Sequence, residues 1–148
     1  MPSIIEVLRE RLDKKSLGQP ATEQEITEFE TRYGITFPND VREYFLKING
    51  VDSGGFVALE PLRNWKLLIE DTEFRPDEIC KILSDADHYF TFGTYDISVW
   101  SWAIKLNTDP TVDTPVVVIF QEATKVADTF TSFLHQFIMD SAESLLGP

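Results

Sequence analysis

The spacing of apolar residues changes twice along this chain, and that change limits the fold more than any other feature. Up to Ile48 they recur every three or four positions, the spacing of a helix that buries one side. From Phe90 they alternate as in a strand, and after Asp128 the helical spacing returns. Segregated elements in this order predict an α+β fold: N-terminal helices, then an antiparallel or mixed sheet, then a C-terminal helix packed on it. At 148 residues the expectation is a single domain over positions 1–148, large enough to bury its own core without cross-links.

The helical part is closely punctuated. Ile4, Ile5, Leu8 and Leu12 fall on one helical face, with Pro2 near the start, where its missing N–H costs nothing. "KKSLGQP" ends that helix. Thr22 with Glu25 three residues on reads as a capping box, and Ile26, Phe29 and Tyr33 carry the next helix to Gly34. "ITF" then crosses to a third helix, with Pro38 pre-set for its first turn, Val41, Tyr44, Phe45 and Ile48 on one face, and Asn49-Gly50 as its end.

Beyond Gly54 the pattern is that of strands. "GGFVALEPL" suggests a glycine-led entry into a short strand, and "RNWKLL" fits either a strand or the start of a helix. "LIEDTEFRPDEICKILSDAD" reads as a long acidic connection with a helical turn. "HYFTFG" alternates Phe90 and Phe92 with Tyr89 and Thr91, and "DISVWSWAIKL" places Trp100, Trp102, Ile104 and Leu106 on one side. After the loop "TDPTVDTP", "VVVIF" is apolar on both faces, as a central strand would be, and "QEATKVA" fits one more strand. The closing helix starts from Asp128 as its cap, with Phe130, Phe133, Leu134, Phe137 and Ile138 at one-face spacing.

Charge narrows the function classes. The net charge is −12, whereas phosphate backbones and anionic lipid both demand cations, so neither nucleic acid nor membrane is an expected partner. In the third helix, Arg42 and Lys47 stand against Asp40 and Glu43, a poor match to a DNA-reading helix. Acidity suits a basic protein partner, or serves solubility alone. The opening residues are charged throughout, unlike a signal peptide, and the longest apolar run is far too short for a membrane span. A cytoplasmic location is therefore expected.

No residue pattern marks a catalytic, cofactor or metal site. "SGG" at Ser53 lacks the lysine and helix of a phosphate loop. Cys80, the single cysteine, lies between apolar neighbours and is expected to be a buried thiol. Asp85, Asp87 and His88 form the most metal-like cluster but supply too few ligands, and His135 reads as a surface or edge residue. Glu70, Asp71, Glu73, Asp77, Glu78, Asp85 and Asp87 make an acidic segment that reads as a docking patch for a basic protein or as a solvated loop. Trp100 and Trp102 point to one side of a strand, either as core or as an exposed aromatic platform.

The run "PATEQEITEFETRYGITFPNDVREYFLKINGVDSGGF" resembles the opening of the SUKH superfamily, which includes Smi/Knr-type domains. An acid-rich capped helix with an internal Glu30 leads to Gly34, Phe37-Pro38, Tyr44-Phe45 and Asn49-Gly50, in the family's order and spacing. Phe37 stands where Leu is commoner. "FTFGTYD" is similar to the family's Phe-Gly strand end, "TPVVVIF" to its central strand, and "KVADTFTSFLHQFI" to its closing strand and helix. The resemblance runs from Pro20 to Met139, with no motif matched from Arg63 to Asp87. It implies an α+β, non-enzymatic domain without cofactor, whose bacterial members look like immunity proteins that neutralise a toxin, often a nuclease. The alternative it implies is a regulatory interaction protein of cell-wall synthesis and signalling. Long disordered flanks would favour that regulator, and essentially none is expected from these 148 residues.

Overall fold

A computed structural model describes residues 3–12, 15, 17–53, 57–70, 75–96, 99–109, 114–140 and 145–146. Pro2, the Gly54-Gly55 turn and the centre of the 108–115 loop lie outside the described residues.

The three leading helices form where the apolar spacing places them. Helix α1 (Ile4–Arg11) buries Ile4, Ile5 and Leu8, and Ser3 caps it by accepting the Glu6 N–H at 3.3 Å. Helix α2 (Glu23–Tyr33) begins with the complete capping box, both Thr22–Glu25 bonds being 3.2 Å. Gly34 then takes the left-handed conformation at φ 65°, with open space where a Cβ would stand. Glycine is needed there for the backbone angle alone. Helix α3 (Asn39–Lys47) starts one residue later than expected: Pro38 is its extended N-cap, not part of its first turn.

The sheet is wholly antiparallel among the described strands. Its strands are β1 (Val51–Ser53), β2 (Val57–Leu59), β3 (Lys66–Leu67), β4 (Tyr89–Tyr95), β5 (Trp100–Lys105), β6 (Val116–Ile119) and β7 (Ala123–Ala127), in the order β1-β2-β4-β5-β6-β7. Strand β3 pairs with β4 through Lys66–Thr91 and Leu67–Phe90, beyond the end of β2. The ambiguous "RNWKLL" is therefore both things, a 3-10 turn at Leu62–Asn64 and then a strand.

A bulge in β4 aims its side chains. Thr91 pairs with Ala103 and Gly93 with Trp102, which leaves Phe92 as the extra residue. Phe92 joins the core, and a Cβ on Gly93 would stand 2.9 Å from the Trp102 ring and 2.9 Å from the Ala58 carbonyl oxygen. Only glycine fits beside that bulge.

Both faces of the sheet are covered. On one, Phe90, Phe92, Trp102, Ile104, Val116 and Val118 share a core with α1, α3 and α5 (Phe130–His135), which continues as a π-helical turn over Gln136–Asp140. On the other, Tyr89, Ala103, Val117 and Ile119 lie under Leu68, Ile79 and Ala86. Those three come from a 3-10 turn at Leu68–Glu70, helix α4 (Pro76–Ile82) and a second 3-10 turn at Ala86–His88. Two covered faces explain why β6 is apolar at every position.

Two further expectations need correction, and one left open is decided. Thr129, not Asp128, caps α5, because its hydroxyl reaches the Ser132 N–H at 3.1 Å. Cys80 is exposed: α4 turns Ile79 to the sheet and leaves its neighbour in solvent. The tryptophans divide, Trp102 being core with its indole N–H donated to the Leu145 carbonyl at 3.0 Å, and Trp100 half-buried.

Candidate functional site

The acidic segment is a built surface along its described parts. Leu68, Ile79, Leu83 and Ala86 hold it on the sheet, so the carboxylates between them are carried on an anchored layer. Asp77 and Glu78 are exposed in the first turn of α4, where negative charge also suits the helix dipole. Asp87 is exposed in the 3-10 turn at Ala86–His88, 3.9 Å from His88 Nε2.

The remaining acids are placed differently. Asp85 receives Lys105 Nζ at 2.7 Å, and that hydrogen bond holds its carboxyl below the usual aspartate range. Glu70 lines a cleft of about 480 Å³ that Arg32, Arg63, Lys66 and Asn64 also line and to which α4 contributes no residue. Thr91, Thr94 and Ser101 also line this cleft. Asp71 and Glu73 lie outside the described residues. The structure thus groups Asp77 with Glu78, sets Asp85 and Asp87 on the following turn, and directs Glu70 elsewhere.

Sequence reading gave no hint of that cleft, because its walls come from α2, the Leu62–Asn64 turn, Glu70 and the three strands β3, β4 and β5. It also left open the end of the sheet where Trp100 stacks on Phe120, with ring centroids 5.1 Å apart and planes 25° apart. Phe120 is 52% exposed there and Val99 44%. The one available signal was a phenylalanine following the last residue of an apolar strand, which sequence alone does not distinguish from core.

No group of three or more metal-ligating side chains occurs among the described residues. Tyr44 is fully buried, its hydroxyl donates to the Glu60 carbonyl at 3.2 Å, and burial pushes its phenol far up, so it is a neutral structural group. Arg42 and Lys47, the cations of α3, are tied to carboxylates within the chain. Arg42 lies 3.3 Å from Glu30 and 3.5 Å from Glu23, and Lys47 bonds Glu43 at 3.1 Å and also Glu6.

The residues carrying the family resemblance prove to be joints. Glu30 accepts the Phe37 N–H at 2.8 Å as well as the Arg42 guanidinium, fixing the step between α2 and α3. Asn49 is buried at φ 54°, accepts the Leu62 N–H at 2.8 Å and donates to the Gln19 carbonyl at 2.8 Å. The SMI1 / KNR4 family (SUKH-1) profile matches residues 20–136, from the approach to α2 through to α5. This chain belongs to that family. A relative from Bacillus subtilis (strain 168), "Uncharacterized protein YnaB", is 48% identical over 33 residues. That match covers 22% of this SUKH chain and 23% of the relative. Domains of this family are generally non-enzymatic, and none of the described helices here is long and apolar enough to cross a membrane.

Proposed function

We propose that this SUKH domain is a cytoplasmic immunity protein that binds a cognate basic toxin domain, often a nuclease in such systems, and blocks it without chemistry of its own. The family match over residues 20–136 carries the reading, since immunity-type and Smi/Knr-type binding domains make up the family. The net charge of −12 supplies the physical basis. A nuclease is cationic where it grips phosphate, and an acidic domain is drawn to that surface and competes for it. Asp77, Glu78, Asp85 and Asp87 offer charge on the anchored α4 layer; we include Glu70, Asp71 and Glu73 of the same segment in this surface.

The test is capture with the purified domain as bait from its native source at low salt, with bound proteins identified by mass and then co-expressed with it. A basic protein whose toxicity is relieved by co-expression supports the reading. Capture of a kinase or wall-synthesis component instead would replace it with the regulatory role.

A further inference from the structure

We infer that the basic partner is anchored at the Trp100–Phe120 end of the sheet, where an arginine or lysine side chain lies against the exposed Phe120 ring beside half-buried Trp100. This rests on the partner class proposed above and adds a site outside the acidic segment. Three large apolar side chains are exposed among the described residues, and two of them, Val99 and Phe120, flank Trp100 in sequence or in space. The third, Ile82, lies at the end of α4.

The geometry is that of a prepared contact. Trp100 and Phe120 line a groove of about 720 Å³ together with Leu146 and buried Val118. The stack of exposed Phe120 on half-buried Trp100 is joined to the core ring by ring. Trp100 meets Tyr95 at 5.7 Å, Tyr95 meets Trp102 at 6.4 Å, and Trp102 meets Phe133 at 5.2 Å. Anchors held this way lose little rotamer freedom on binding, which favours affinity.

Charge chooses the occupant. Glu122 is the ionisable residue among the described groove-lining residues, which include no cation, and Asp96 sits in the turn leading to Trp100. A guanidinium or ammonium over the rings gains the cation–π attraction and finds Glu122 beside it. A second copy of this chain would instead bring one −12 molecule against another.

The experiment is a titration of the isotope-labelled full chain with a short arginine-rich peptide at low salt, followed by amide and indole resonances. The largest shifts are expected at the Trp100 indole N–H and across Val99–Ser101 and Phe120–Thr124. Phe120→Ser is expected to weaken the peptide about tenfold with far-ultraviolet circular dichroism unchanged, while Glu10→Gln on exposed α1 leaves affinity as it was. Shifts confined to Asp77–Asp87 overturn the anchor and leave the basic-partner reading standing. Self-association in sedimentation that Phe120→Ser abolishes overturns it in favour of a second copy. Equal peptide affinity for wild type and Phe120→Ser also overturns it.

Discussion

Asp40 and Thr131 are 91 residues apart and joined twice: the Asp40 carboxylate accepts the Thr131 backbone N–H at 3.0 Å and its hydroxyl at 2.8 Å. The start of α3 thereby caps the start of α5. Hydrogen bonds to a carboxylate are stronger than neutral ones, so Asp40→Ala is expected to destabilise the fold by about 1.5–3 kcal/mol in urea titration. Asp40→Asn keeps an acceptor and should recover part of that loss. Equal midpoints for wild type and the alanine variant would remove this bond from the account.

Asn49 joins the end of α3 to the turn after β2 and to the segment before α2 through its two side-chain bonds. Asn49→Ala strands the buried Leu62 N–H, takes the side-chain donor from the Gln19 carbonyl and forces alanine into a left-handed conformation. The expected cost is about 2–4 kcal/mol. Asn49→Gly relieves the backbone but not the lost bonds, and should fall between alanine and wild type.

Gly93→Ala tests the bulge. The added methyl meets the Trp102 ring and the Ala58 carbonyl, both at 2.9 Å, and neither can move without disturbing β2 or the core. A loss of about 1–3 kcal/mol is expected, with a changed near-ultraviolet signal from Trp102.

The Asp85–Lys105 pair gives a pH signature. Asp85 is held below the usual aspartate value chiefly by its bond to Lys105. A carboxylate lowered in this way stabilises the fold above its unfolded pKa, and the contribution disappears as pH falls through the folded value. Asp85→Asn should therefore be less stable than wild type at neutral pH. The difference should close as pH drops from the ordinary aspartate value downward. A gap unchanged at acid pH would show that the pair contributes nothing through ionisation.

The helices were legible because caps and stops are local. Thr22–Glu25, Gly34 and Asn49-Gly50 each act within a few residues of their own position, so sequence suffices to place them. The residues of β4 and β5 that face the helices were legible from alternation, and β6 from being apolar on both faces. One local choice was not, since Asp128 and Thr129 are both capping residues and the β7–α5 backbone brings the Thr129 hydroxyl to the Ser132 N–H. Long-range choices were not legible either. Cys80 and Ile79 differ in burial because the sheet lies on one side of α4, and a seven-residue helix is too short to declare its face. The partition of Trp100 from Trp102 depends on where Phe133 and the Leu145 carbonyl fall, far along the chain.

The central claim is that an acidic SUKH domain neutralises a basic partner by binding it. The most direct measurement is the dissociation constant between the purified domain and the captured toxin domain across a series of salt concentrations, with toxin activity followed in parallel. The account expects tight binding at low salt, weakening steadily as salt screens the opposed charges, and toxin activity returning with the weakening. Binding indifferent to salt, or binding that leaves the toxin fully active, would contradict it.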